Sequence, residues 1–262
     1  MSINNIEKFR ATIQNGKVCV GIPISSSDPV VSELFGDAGY DFTWIDMEHC
    51  PITIDTALGH IMAVRGTDTA PFVRVPWNDP VLIKPVLEFE PAGIIVPLIR
   101  TAEDAANAVR ACKYPPVGIR GFGPRRGVKF GGLDTATYLQ DADSRTIVII
   151  QIEHIEAVKN LDAILATPGL DGICLGPNDL SGSMGLLGQV EHPDVIEAID
   201  TIIEKVRKTG LYLGVATGYN PQTVRQWIAK GIQWIALNTD YVNMYKYSKM
   251  VIDDVHSIKT ES

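Results

Sequence analysis

Eight short apolar runs, each followed by a stretch of helical periodicity, constrain this chain more than any other feature. The runs occupy 18–23, 42–45, 72–75, 93–96, 147–152, 172–175, 212–215 and 234–237. They are rich in β-branched residues and lack polar alternation, as strands buried on both faces should be. Helical patterns fill the intervals at 29–37, 54–64, 80–88, 102–111, 156–166, 193–208 and 221–230, and a last amphipathic stretch covers 241–256. Pro29, Pro80, Pro193 and Pro221 follow Asp28, Asp79, His192 and Asn220, which is helix-start chemistry. Eight such units in 262 residues have the size and rhythm of an α/β (β/α)8 TIM barrel. A doubly wound open sheet reads the same way, but polar groups at the ends of several different runs favour the barrel. No linker or low-complexity segment divides residues 1–262, so the sequence reads as one domain.

The formal charge of -8 argues against a nucleic-acid or anionic-membrane partner. No apolar run approaches the ~20 residues of a membrane span. The stretch 1–10 is polar and has no signal-peptide core. Cys19, Cys50, Cys112 and Cys174 are far apart and form no CxxC pair, which suits reduced thiols and a cytoplasmic location.

Chemistry concentrates where the runs end. The second closes in Asp46, Glu48 and His49. An imidazole beside two carboxylates makes His49 the leading general base, the alternative being a solvent-facing loop histidine. His60, His154, His192 and His256 read as structural, although His154 adjoins Glu153. Glu153 and Asp179 end two successive runs, so a barrel places them together at its mouth. There they suit Mg2+ or Mn2+; the alternatives are a solvated rim acid for Glu153 and a helix N-cap for Asp179. Arg74 ends the third run and is suited to a carboxylate or an oxyanion, or else to an ion pair with Asp46 or Glu48. Gln151 shares a strand face with Glu153. Gly176 and Pro177 permit close backbone approach of a ligand carboxylate. No run carries a lysine, and Lys17 lies at the wrong end of the first, so a Schiff base is not expected.

The segment 114–133 (YPPVGIRGFGPRRGVKFGGL) is Gly-rich and basic. It follows a helix and precedes a strand, so it starts at the N-terminal face of its own barrel. It serves either a neighbouring subunit's mouth or a surface contact. Gly121 to Gly127 has the wrong spacing for a dinucleotide fingerprint and no strand-to-helix context, so no nucleotide cofactor is expected.

Five ordered motifs together resemble the HpcH/HpaI aldolase family of metal-dependent (class II) pyruvate aldolases. They are Ile45-Asp46-Met47-Glu48-His49-Cys50-Pro51, Val73-Arg74 with the following Val-Pro-Trp-Asn-Asp-Pro, Tyr-Pro-Pro-Val-Gly-Ile-Arg120-Gly, Gln151-Ile-Glu153, and Gly176-Pro177-Asn178-Asp179-Leu-Ser. The resemblance implies Glu153 and Asp179 as ligands of a divalent ion (Mg2+, Mn2+ or Co2+). It implies keto-acid contacts at Arg74 and Gln151, and acid–base chemistry at His49. It further implies a C-terminal helix swapped between subunits of a hexamer, a trimer of dimers. Small keto acids and aldehydes are the partners implied, through reversible aldol cleavage of a 4-hydroxy-2-oxo acid. Related enolate chemistry (oxaloacetate decarboxylation or CoA-thioester cleavage) and a non-catalytic keto-acid-binding barrel are the alternatives. Glu88 stands where the family's histidine usually finds an aspartate, and Glu90 where glycine is usual. Cys19, Met47 and Asn178 replace an aromatic, a glycine and a small apolar residue, changes that fall on the aldehyde side.

Overall fold

The computed structural model describes residues 3–258. The strands are β1 (Cys19–Ile24), β2 (Phe42–Asp46), β3 (Ala70–Arg74), β4 (Gly93–Val96), β5 (Ile147–Ile152), β6 (Gly172–Leu175), β7 (Tyr212–Thr217) and β8 (Trp234–Leu237). All are parallel, each pairs with its sequence neighbour, and β1 closes on β8 across Cys19 to Gly21. That closure excludes the open doubly wound sheet. The helices are α1 (Ile6–Gln14), α2 (Val30–Asp37), α3 (Ile54–Ala63), α4 (Pro80–Leu87), α5 (Ala102–Cys112), α6 (Thr135–Leu139), α7 (Ile155–Lys159), α8 (Leu161–Leu165), α9 (Pro177–Ser183), α10 (Pro193–Val206), α11 (Pro221–Ala229) and α12 (Asp240–Ser257).

Strand alternation fills the barrel. Phe42, Trp44, Phe72, Ile149 and Trp234 pack in one interior cluster, while the outward residues of the same strands pack against the helices. Bulky rings from some strands need bare backbone on others. A Cβ on Gly214 would lie 1.9 Å from the Trp234 ring, and one on Gly21 would lie 2.2 Å from the Phe42 ring. The floor is sealed by Phe9 of α1, whose ring centroid lies 4.9 Å from Phe72, 5.9 Å from Tyr212 and 6.0 Å from Phe42. Edge-to-face rings at such separations add to the area they bury.

Several boundaries differ from the sequence reading. The helix expected over 156–166 is two helices, because Asn160 (φ -95°, ψ 7°) breaks it between α7 and α8. Strand β3 begins at Ala70, before Pro71, and β7 runs on to Thr217. Helix α1 was not foreseen: it is short and charged, and it buries only Ile6 and Phe9.

Three histidines outside the second strand's end, His60, His154 and His192, have structural partners. His154 and His192 are helix N-caps whose Nδ1 atoms accept from the backbone N–H of Glu156 (3.1 Å) and Asp194 (3.3 Å). His60 is buried; its Nε2 donates to the Ser26 carbonyl at 3.0 Å and its Nδ1 accepts from the Ser32 hydroxyl at 2.8 Å. Asp240 at the start of α12 is fully buried and accepts from the backbone N–H groups of Ser25 and Ser26. Beyond that anchor, α12 buries none of its residues, and Met244, Tyr245, Tyr247 and Val255 are exposed. Among the described residues no helix is long and apolar enough to cross a membrane.

The floor and the glycine clearances set the barrel's tolerance to change. Phe9→Ala is expected to cost ~3–5 kcal/mol, by lost burial and the cavity left behind. Gly214→Ala should cost ~1–3 kcal/mol or more through overpacking against Trp234. Urea unfolding followed by circular dichroism checks both.

Candidate active site

The interior rows that begin with Phe42, Ala70 and Ile147 end at the barrel mouth in Asp46, Arg74 and Gln151, with Glu153 next in the last row. One strand parity therefore supplies an apolar floor and a polar ceiling. Arg74 is the hub. Its Nε and Nη2 donate to the two Asp46 oxygens at 3.0 and 2.6 Å, a bidentate pair. Its Nη1 lies 2.9 Å from Glu48 Oε2 and makes a long 3.4 Å bond to Gln151 Oε1. The guanidinium also lies 5.1 Å from the Trp44 ring centroid, a cation–π contact. The ion pairs considered for Arg74 are thus formed with both Asp46 and Glu48. They leave the weak Gln151 bond as the one that an incoming oxygen can replace.

Glu153 is 3% exposed. Its Oε1 accepts from the Leu98 backbone N–H at 2.7 Å, and its Oε2 accepts from Gln151 Nε2 at 2.7 Å. Leu98 reaches it from a left-handed conformation, φ 59°. Gly176 completes this corner: a Cβ there would sit 2.7 Å from Glu153 Oε2, so only glycine lets the strand pass the carboxylate. Pro177 is buried and opens α9, while Asn178 and Asp179 are exposed in its first turn. The N-cap of α9 is Gly176, without a side-chain cap bond, so the N-cap alternative for Asp179 is not what the chain adopts.

His49 follows β2 at the mouth and its side chain is 63% exposed. Its Nε2 lies 3.7 Å from Glu48 Oε2. Asp46 acts on the loop instead: its Oδ1 accepts from the backbone N–H groups of Glu48 and His49 at 3.0 and 3.3 Å. Glu88 is at the other end of the molecule. It caps α4 where the chain turns into β4, at the N-terminal face, and its Oε1 lies 3.5 Å from Arg120 Nη2. Within one chain His49 and Glu88 therefore do not meet, because α4 returns the backbone from the mouth to the floor. Arg120 and Tyr138 also hold the buried Glu90, with the Tyr138 hydroxyl donating at 2.8 Å. This ties the segment 114–133 to the N-terminal face.

Charge at the mouth is unbalanced. Burial pushes Glu153 up to about 7; the nearby Glu48 and Asp179 charges add to this, and the Leu98 N–H and Arg74 offset part of it. Glu48 is also raised, chiefly by burial, with Arg74 and His49 opposing. Asp46 is held low: burial works against it, but the Arg74 hydrogen bonds and charge, with the two backbone N–H groups, outweigh that cost. Asp46, Glu48, Glu153 and Asp179 thus confront Arg74 as their cation. Among the described residues no group of three or more His, Cys, Asp or Glu side chains is arranged to hold an ion. The carboxylates of Glu153 and Asp179, beside an open mouth and a close-packed glycine, are the donor set that Mg2+ or Mn2+ takes, with water and substrate filling the other positions. The residues therefore fit such an ion.

Leu98 and Trp44 are the site contributors that sequence reasoning missed. Trp44 had a signal, since it lies one inward step below Asp46. Leu98 had none, because its left-handed backbone leaves no mark on residue type.

This molecule is a (β/α)8-barrel enzyme with its candidate site at the C-terminal ends of the strands, where barrels of this class carry their chemistry. A family model described as HpcH/HpaI aldolase/citrate lyase matches residues 20–245, and the chain belongs to that family. It is 37% identical over 232 residues to a 4-hydroxy-2-oxo-heptane-1,7-dioate aldolase of Escherichia coli, covering 88% of each chain. It is 37% identical over 234 residues to a 5-keto-4-deoxy-D-glucarate aldolase of Shigella dysenteriae serotype 1, covering 89% of this chain and 90% of that one. The crystal structure of an HpcH/HpaI aldolase from Desulfitobacterium hafniense DCB-2 superposes with a TM-score of 0.89 at 26% identity, covering 97% of this chain and 98% of the other.

The raised Glu153 gives a pH test. Its folded value, about 7, lies above its unfolded value near 4.5, so the metal-free fold binds the proton more tightly than the unfolded chain. Metal-free stability should therefore fall as pH rises from about 4.5 to 7, by at most on the order of 3 kcal/mol from this group. Glu153→Gln should flatten that slope. Thermal melts in EDTA between pH 5 and 8 compare the two proteins.

Proposed function

We propose that this carbon–carbon lyase is a divalent-metal-dependent aldolase that reversibly cleaves a 4-hydroxy-2-oxo acid to pyruvate and an aldehyde. The observation that carries the reading is the Arg74 hub: a guanidinium on a side chain only 12% exposed, fixed by Asp46 and Glu48, with a replaceable bond to Gln151 beside the Glu153 carboxylate. Glu153 and Asp179 would hold Mg2+, Mn2+ or Co2+. A cation bound there supplies Lewis-acid polarisation of the keto acid's oxygens.

The chain's own groups do the rest. Arg74 takes the substrate keto oxygen in place of Gln151, and Gln151 turns its amide to the substrate carboxylate. Gly176, Pro177 and Asn178 offer backbone and amide to that carboxylate. His49, exposed at the rim, removes the proton from the C4 hydroxyl. The C3–C4 bond then breaks, the aldehyde leaves, and its electron pair resides in the pyruvate enolate. Arg74 meets a charge that grows as the bond breaks, which is where electrostatic stabilisation accelerates a reaction. Protonation at C3 completes pyruvate. Asp46 sets the His49 loop and Glu48 tunes its ring. Glu88 faces away from this mouth, so its proposed part in catalysis requires delivery from the N-terminal face of a second subunit.

The exposed apolar side chains of α12 support a helix that packs on a partner, and with the family resemblance a swapped hexamer, a trimer of dimers. The closed barrel supports a single domain over 1–262. The unpaired thiols of Cys19, Cys50, Cys112 and Cys174 support a reducing, cytoplasmic setting.

Chelation by EDTA is expected to abolish pyruvate release from a panel of 4-hydroxy-2-oxo acids, and Mg2+, Mn2+ or Co2+ to restore it. His49→Ala should lower kcat by ~10²–10⁴-fold, the usual worth of a positioned acid–base group. Full activity in EDTA, or a substrate imine trapped by borohydride, would sink the proposal. Turnover only of oxaloacetate or of a CoA thioester would move the protein to the related enolate reactions.

A further inference from the structure

Gln151 is bonded at both ends of its amide. It lies near the mouth end of β5 and is buried. Its Nε2 donates to Glu153 Oε2 at 2.7 Å, and its Oε1 accepts from Arg74 Nη1 at 3.4 Å. One amide therefore links the proposed metal ligand to the proposed oxyanion binder. The two bonds are unequal. The first is short and made to a carboxylate. The second is long, and its donor Nη1 lies closer, at 2.9 Å, to Glu48 Oε2.

Glu153 does not need Gln151 for its orientation. Its Oε1 is held at 2.7 Å by the N–H of Leu98, a backbone group fixed in a left-handed turn. Gly176 packs against Oε2 itself: a Cβ there would lie 2.7 Å from that oxygen and 2.6 Å from the Glu153 Cβ. Backbone on two elements thus fixes the carboxylate. Oε1 is committed to a backbone donor, so Oε2 is the oxygen left for a cation, and its hydrogen-bond partner is a side chain that can turn. An N–H and a cation cannot share one lone pair.

We propose that Gln151 is a latch: its amide competes with a divalent cation for Glu153 Oε2 and, once released, turns to the keto acid. The inference rests on the aldolase reading and deepens it, by setting an order of binding at the same site. A keto acid arriving alone displaces only the long Arg74 bond, and the Gln151 amide stays anchored on Glu153. Release of the short Glu153 bond leaves Gln151 held by the long one alone, which a substrate oxygen replaces readily. Cation before keto acid is therefore the favoured order. The two ligands bind cooperatively through Gln151, in addition to any direct chelation, and the coupling is reciprocal.

The test is Mn2+ affinity, read from the free-ion signal in electron paramagnetic resonance, with and without saturating pyruvate. It is run at about pH 8.5, above the value of about 7 to which burial raises Glu153, so that protons do not compete. Gln151→Met keeps the length of the side chain and removes its donor and acceptor. It should bind Mn2+ alone about tenfold more tightly than the native protein, the scale of one hydrogen bond to a charged group. The tightening of Mn2+ binding by pyruvate should shrink about tenfold in the same variant. Gln151→Leu should behave alike, and circular dichroism shows which variants are folded. A donor that only orients a metal ligand acts with the opposite sign, since its loss weakens metal binding by about 10–100-fold. Weaker or unchanged Mn2+ affinity in a folded variant, or an unchanged pyruvate effect, would therefore overturn the proposal. Glu153→Gln separates it from the reading beneath it. Mn2+ binding that Glu153→Gln abolishes and Gln151→Met leaves unchanged defeats the latch alone. Mn2+ binding indifferent to Glu153→Gln, or absent from the native protein, defeats the metal-dependent aldolase reading and the latch together.

Discussion

Closing eight parallel strands into a ring forces every second side chain into one shared interior, and the rest of the molecule follows from how that interior is filled. The lower rows are aromatic and aliphatic, with glycine wherever a ring needs the space: Gly214 under Trp234 and Gly21 against Phe42. The same rows, carried one step further, have to place whatever comes next on the same face. Phe42 and Trp44 lead to Asp46, Phe72 leads to Arg74, and Ile147 and Ile149 lead to Gln151. The polar ceiling is therefore set by the same strand parity as the apolar floor.

A ceiling of charge has an energetic cost, and Arg74 governs its distribution. Its guanidinium satisfies Asp46 in bidentate geometry and shares an edge with Glu48. Asp46 is kept ionised as a result, whereas Glu48 and Glu153 are pushed towards their protonated forms, chiefly by burial and also by neighbouring carboxylates, Asp179 in both cases. Removing the partner from a buried ion pair costs ~3–5 kcal/mol, so Arg74 is held in place by the fold as well as by the chemistry. The excess of carboxylate that remains is unfavourable in the metal-free protein, and under the proposed function a divalent cation would relieve it.

The elements borne by this interior were legible in the sequence, because each strand is a short β-branched run whose parity can be counted. Gln151 and Glu153 share a face by that count, and hydrogen-bonded contact between them follows. Arg74 was readable as either an oxyanion binder or an ion-pair partner, and the structure shows the ion pairs. What escaped depended on backbone geometry or on distant packing. The left-handed turn at Leu98, which aims an N–H at Glu153, is not encoded in a turn residue. The break at Asn160 interrupts a pattern that is continuous in hydrophobicity. Glu88 was adjacent to His49 only by analogy; the length of α4 carries it to the opposite face, where Arg120 holds it.

That separation of faces divides the chemistry in two. Groups that would handle the keto acid (Arg74, Gln151, Glu153) sit on strands or at their ends, locked by barrel closure and by one another. Groups that would meet the aldehyde, Asn178 among them, sit on a short helix and on loops at the mouth. Loops and outer helices tolerate substitution that a closed interior does not. A chain of this kind can therefore keep its enolate chemistry while its acceptor pocket changes size and charge. Relatives 37% identical to it bear the names of aldolases acting on different keto acids. Asn178 stands where the two halves meet, in the first turn of α9 beside Asp179 and on a short helix rather than on a strand.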